Sequence, residues 1–229
     1  MKKKILILHT NMELGGAETS LLGLLWSLDY DRVSVDLFLY AHTGELLPLL
    51  PDAVRLLPEQ PAYRALCDPI RTVIRQGHPV VAGARLRAKL VTAVRNRKMH
   101  FRDYGHALKQ RTHAYAVRYL PRIGGDYDMA ISFIDPHWIM NRRTSAPVRL
   151  GWFHTDCALI TPDNPLEEKM WSECTHVVNV SESCKEAFDA VHPALPARSF
   201  VMENILAKRF VESRAEMPLP ADGMRRDGH

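Results

Sequence analysis

Cysteine is scarce in this 229-residue sequence: Cys67, Cys157, Cys174 and Cys184 are the four, and none forms a C-x-x-C pair. Their spacings match no zinc pattern, and so thin a set excludes a disulfide scaffold, which makes a reducing cytoplasm the expected compartment. Long apolar runs are missing as well. Ile5-Leu6-Ile7-Leu8 follows the basic Met1-Lys2-Lys3-Lys4 but breaks at His9-Thr10-Asn11, too short for the apolar region of a signal peptide. No stretch approaches the ~20 apolar residues of a membrane span. The expected location is therefore cytoplasmic, at most peripheral at the inner face of the membrane. Neither G-x-G-x-x-G nor a P-loop is present, which weakens dinucleotide and P-loop readings. Of the eleven histidines, His100, His106 and His113 lie six and seven residues apart. On one helix, neighbours would be about 9–10 Å apart, too far to share an ion, and no metal is expected.

What is present is globular. Hydrophobic residues make up 46% and charged residues 24%, a composition that excludes collagen-like, coiled-coil and wholly disordered chains. At ~150 residues per domain the length gives about one and a half domains. The net charge of +4 conceals an asymmetry. Residues 64–122 hold 14 Lys and Arg against two acids, Asp68 and Asp103, a net +12; the remainder holds 16 basic and 24 acidic residues, a net −8. Such a block fits an anionic partner or a solvated helical face.

Residues 5–8 read as a buried strand. The glycine turn Gly15-Gly16 follows, then a helical pattern with Leu21, Leu22, Leu25 and Leu28 on one face, then a strand over 33–40. Strand, turn, helix and strand within forty residues predict a βαβ unit, hence a parallel sheet with a right-handed crossover. A short helix is predicted at 45–50 and a strand at 54–57. Residues 63–120 read as three helices, apolar on one side (Ile70, Val73, Ile74; Leu86, Leu90, Val91, Val94) and basic on the other. Strands resume at 128–134, 148–153 and 176–180. A helix follows over 182–191, with Ser183 and Glu186 at capping-box spacing, and a last strand at 199–202. Residues 1–210 thus form an α/β, Rossmann-like domain with helices on both faces and a basic helical insertion at 63–120. Residues 211–229 are expected to be a mobile tail.

Three segments fall at strand ends, where a parallel sheet binds ligands. The turn at residues 11–19 combines glycines that admit close backbone approach with a helix N-terminus suited to phosphate; a plain tight turn explains it equally. Gly151-Trp152-Phe153-His154-Thr155-Asp156 offers His154 as a hydrogen-bond donor or acid–base group and Asp156 to orient it or bind a sugar hydroxyl; an ordinary polar loop is the competing reading. Ser181, in Val180-Ser181-Glu182-Ser183, is a substrate-binding candidate and equally a good N-cap.

Taken in order, Lys3-Lys4-Ile5-Leu6-Ile7 leading to Gly15-Gly16-Ala17-Glu18, Tyr127-Asp128-Met129-Ala130-Ile131-Ser132, Trp152-Phe153-His154-Thr155-Asp156, Val177-Val178-Asn179-Val180-Ser181-Glu182-Ser183 and Glu203-Asn204-Ile205 resemble the first domain of family 4 glycosyltransferases. Those enzymes have the GT-B fold, two Rossmann-like domains facing each other across a cleft. The resemblance implies retaining transfer of a sugar from a nucleotide-sugar, a co-substrate rather than a cofactor, to a glycan or lipid-linked acceptor without a metal. It places the glycine turn of Gly15, Gly16 and Glu18 by the donor diphosphate and acceptor and puts His154 in the catalytic cleft; Asp156 and Ser181 stay substrate-binding candidates on their strand-end positions alone.

The family's second domain carries a basic residue for the diphosphate and a glutamate pair eight positions apart. No two glutamates here are eight apart, and 25 residues follow Asn204. The expectation is an acceptor-side domain, single GT-B half, whose origin as a truncated gene product, a fragment or half of a split enzyme stays open. A separate donor-domain chain is then an expected partner, and a lone half is not expected to catalyse transfer, because half a cleft loses the positioning. The alternative is a non-catalytic module whose +12 segment holds an anionic membrane surface or a lipid-linked phosphate. Tyr104, Tyr115 and Tyr119 read as helix packing, and with no nucleic-acid motif present no nucleic-acid partner is expected.

Overall fold

A computed structural model describes residues 2–155, 157–195 and 198–215. Seven strands form one sheet: β1 (Lys3–His9), β2 (Val33–Leu39), β3 (Val54–Leu56), β4 (Met129–Ser132), β5 (Val148–Phe153), β6 (His176–Asn179) and β7 (Ser199–Val201). Their order is β3-β2-β1-β4-β5-β6-β7, and every pairing is parallel. The protein is an α/β, Rossmann-like domain. Parallel strands need crossovers that cover both faces, so the strands are apolar on both sides. Successive residues alternate between two cores. Ile7, Leu37, Ile131 and Trp152 enter one; Leu6, Leu8, Phe38 and Phe153 enter the other.

The first core is closed by α1 (Gly16–Ser27) through Leu21, Leu24 and Leu25. The second is closed by α2 (Pro61–Arg64), α3 (Ile70–Arg75), α4 (Pro79–Met99), α5 (Tyr104–Ala116), α6 (Trp138–Arg143), α7 (Asn164–Ser172) and α8 (Glu182–Val191). A ninth helix, α9 (Lys208–Ala215), crosses the boundary placed at 210/211; residues 216–229 lie outside the described ones. No described helix is long and apolar enough to cross a membrane.

Several local expectations need correction. Helix α1 is buried on more than its leucine stripe, from Ser20 to Leu25, because the segment after β7 is laid across it. A Cβ on Gly23 would stand 2.1 Å from the Ile205 carbonyl oxygen, so only glycine admits that crossing. Residues 45–50 form a single 3-10 turn at Leu47–Leu49. The cap of α8 is Ser181, not Ser183: extended backbone at Ser181 lets its hydroxyl accept the Cys184 N–H at 3.2 Å. Helices α6 and α7 were not anticipated.

The largest correction concerns α4. Its buried face is the small-residue row Ala84, Ala88 and Thr92, with Val81 one turn earlier. Leu86, Leu90 and Val94, read as the packing side, are instead 45%, 69% and 60% exposed. Small side chains allow close packing of α4, and once they face inward the leucine row, rotated around the helix, points outward.

Candidate functional site

The chain leaves β1 for β2 on one side of the sheet and returns to β4 on the other. Crossovers therefore diverge between β1 and β4, and the crevice at the carboxyl ends of these strands is where such a sheet takes a ligand. His9 ends β1 there, and the Phe133 N–H extends the ladder to the Leu8 carbonyl at 3.0 Å.

His9 is fully buried, and its Nε2 lies 3.1 Å from Glu18 Oε1. Burial pushes the imidazole pKa down, with Glu18 opposing incompletely; His9 is neutral and donates Nε2–H to the carboxylate. Burial pushes Glu18 up, but the His9 contact more than offsets it and the carboxyl ends below its ordinary value. His9 Nδ1 is left buried without a partner.

Glu18 reaches His9 by folding back over the turn. A Cβ on Gly15 would lie 2.2 Å from Glu18 Oε2, whereas one on Gly16 would meet nothing within 4 Å. The two glycines thus serve different ends: Gly15 makes room for the carboxylate, and Gly16 leaves open space at the start of α1. Gly15, the N-cap of α1, offers no side-chain acceptor to its first N–H groups. Gly15→Ala is expected to force Glu18 off His9 and lower stability by about 1–3 kcal/mol, the cost of stranding a buried polar group. Gly16→Ala should stay within about 0.5 kcal/mol. Urea midpoints of the two variants check both.

The loop is braced from behind. Gly44 has φ +119°, and a Cβ there would overlap Met12 and Glu13 backbone atoms at 1.9–2.2 Å. Met12 N–H donates to the Thr43 carbonyl at 2.8 Å, and Leu46 N–H to the Met12 carbonyl at 2.9 Å.

His154 follows β5 on the other side of the crevice. Its ring lies 4.8 Å from that of Phe133, which is itself 6.1 Å from His9. Burial pushes its pKa to about 4, with His9 assisting and a hydrogen bond to the Phe133 backbone opposing. At neutral pH the ring is uncharged. An N–H donated to the Phe133 carbonyl leaves the other nitrogen, Nε2, which has no partner, as an acceptor. The Trp152 ring stacks nearby at 11°, its Nε1 also unpartnered.

Beyond Phe133, Asp135 accepts Gln110 Nε2–H at 3.0 Å and lies 3.3 Å from His106 Nδ1. His106 Nε2 is 3.5 Å from Glu167. Burial pulls this imidazole down, but Glu167 and Asp135 more than restore it, and its pKa is raised.

Helices α3 to α5 overhang the edge beside β1 and β2 and line a cavity of about 370 Å³ that is open to solvent. Its walls include Thr10, Tyr40, Arg85, Lys89, Lys109 and His113, and no carboxylate. The Arg85 guanidinium is held by the carbonyls of Ala65 at 2.7 Å and Asp68 at 2.5 Å.

The fold therefore brings Gly15, Gly16, Glu18 and His154 to one crevice. Ser181 follows β6, the strand next to that of His154, but its hydroxyl is engaged as a cap. Asp156 lies outside the described residues. Sequence reading missed His9, Asp135, Arg85 and Lys109. His9 could have been found, since it closes an apolar strand at the ligand edge; Lys109 had no signal separating it from the other cations of its segment. No protein-family model matches the chain, and no curated protein matches it.

Proposed function

We propose that the chain supplies the acceptor-side half of a retaining GT-B glycosyltransferase of the family 4 type, moving a sugar from a nucleotide-sugar to a glycan or lipid-linked acceptor. The observation carrying this reading is that Glu18, from the glycine turn, meets His9, while His9 and His154, from the tryptophan–histidine stretch, both lie against the Phe133 ring that follows β4. Uncharged His154 accepts a hydrogen bond from a sugar hydroxyl through Nε2. Gly16 admits the donor diphosphate to the uncapped N-terminus of α1, where N–H groups and the helix dipole favour an anion. The donor-side half lies outside the sheet described here.

The test is transfer of labelled sugar from a panel of nucleotide-sugars to lipid and glycan extracts, with source-cell extract supplying the donor half. Product should require the chain. His154→Gln should lower its rate about 100-fold, the scale of losing one aligned polar group, with the melting temperature little changed. Equal rates for variant and wild type would sink the proposal.

A second reading is favoured by the outward row Leu86, Leu90 and Val94, set beside the exposed Arg87 and Arg97. This face suits an anionic bilayer, with basic side chains at the headgroups and the apolar row beneath them. In flotation, vesicles with anionic lipid should carry the protein and neutral ones should not. Leu90→Asp should reduce the bound fraction at least tenfold. Retention by neutral vesicles would contradict this reading.

A further inference from the structure

The cavity under α3 to α5 is chemically lopsided. Three cations, Arg85, Lys89 and Lys109, line it with Leu66, Ile70, Leu108 and the Tyr40 ring, and no Asp or Glu contributes to its walls. Among the described residues, neither Lys89 nor Lys109 has an ion-pair partner. Arg85 is fixed by two backbone carbonyls, and the Asp68 carboxylate, paired with Arg64, acts on it only at a distance. Two buried polar atoms on the same wall also lack partners: His113 Nδ1, on a side chain only 5% exposed, and Thr10 Oγ1. A protein interior does not ordinarily leave such groups unmatched. Unpaired cations, unpartnered polar atoms and apolar walls around one space together describe a complement: an anion on an apolar body.

We infer that this cavity binds a phosphate monoester carried on an aliphatic chain. Lys109 and Lys89 take the phosphate charge, Arg85 presents a fixed guanidinium, and Leu66, Ile70 and Leu108 cover the chain. Lys109 is also close enough to His9 and Glu18 to perturb both electrostatically, which places the anion end beside the crevice. As the seat of the sugar acceptor, the assignment rests on the transferase reading; as an amphiphilic anion site it does not.

The test uses the full chain without any sugar donor, so its outcome is separate from that of the transfer assay. Hexyl phosphate, inorganic phosphate and hexan-1-ol are titrated calorimetrically. Hexyl phosphate should bind at least tenfold more tightly than either of the others. Lys109→Gln should weaken it about tenfold, and Arg118→Gln, outside the cavity, should not change it. Alkylation of Cys67, an exposed thiol on the cavity rim, gives a second readout by peptide mass spectrometry: hexyl phosphate should slow it several-fold and leave Cys184 unaffected. Slowing by vesicles of phosphatidic acid as well would assign the phosphate to a bilayer lipid, and slowing by hexyl phosphate alone to a soluble acceptor. Absence of hexyl phosphate binding, equal affinity for inorganic phosphate, or Lys109→Gln binding like wild type would each overturn the inference.

Discussion

Lowering the pH from 7 to 5 is expected to remove about 6 kcal/mol of folding stability. Burial holds His113 and His137 at a pKa of about 3 and His154 at about 4, against ~6.5 in an unfolded chain. A folded-state value below the unfolded one means that the unfolded chain binds more protons between the two, so stability falls as pH falls. The loss begins near pH 6.5 and continues down to the folded values. Each group then contributes about 1.4 kcal/mol per pH unit, and three together about 4. Integrated to pH 5, each costs about 2 kcal/mol, which for three is comparable to the whole 5–15 kcal/mol margin of a typical domain. His106 has the opposite sign. Its raised pKa stabilises the fold fully below pH 6.5 and loses that contribution as pH rises through the folded value, so it offers no further support against acid. Urea titrations at half-unit steps would measure the slope. A stability flat between pH 7 and 5 would show that the three rings protonate in place.

The second large effect is expected at Asp163, the N-cap of α7. Its carboxylate pairs with Arg111, which is 1% exposed, and accepts a hydrogen bond from Arg95 Nη2 at 2.9 Å. Its backbone N–H donates to Glu167 at 3.0 Å. One carboxylate thus fastens α5 and α4, and with them the overhang above the cavity, to the body of the domain. Asp163→Asn keeps the shape but leaves the Arg111 guanidinium buried without its ion-pair partner, Glu167 acting only at a distance, which should cost about 3 kcal/mol. Arg111→Met combined with Asp163→Leu removes both charges and should recover most of that loss, since buried pairs are often replaceable by apolar groups of similar volume. Chemical denaturation of the single and double variants closes the cycle; additive losses would show that the pair is not coupled.

Much of the sheet was legible because parallel strands buried on both faces announce themselves as unbroken apolar runs, as in Ile5-Leu6-Ile7-Leu8. Strand β5 and helix α8 fall on their predicted residues. Helix α6 was hidden because its six residues run as a buried block, Trp138, Ile139 and Met140, and then a polar block, Asn141, Arg142 and Arg143, too short to display a helical period. Helix α7 has a readable start in Asp163-Asn164-Pro165, with Glu167 in its first turn. Helix α4 misled for a different reason: the sequence contains two usable faces, and hydrophobicity favours the leucine row while close packing selects the alanines. In the site, the glycine turn and His154 stood at strand ends and were readable locally. The His9–Glu18 contact and the position of Lys109 depend on how distant segments meet, which no local pattern encodes.

The strap across α1 has a consequence for the order of assembly on the ribosome. Ser20 donates its hydroxyl to Asn204 at 2.8 Å, across 184 positions, and Gly23 is covered by the Ile205 backbone. At ~5–20 residues per second, helix α1 emerges roughly 10–40 s before its cover exists. During that interval the glycine turn borders an unfinished surface. The segment that forms first in the nascent chain is therefore among the last to reach its final surroundings, and a synthesis pause before residue 204 prolongs its exposure.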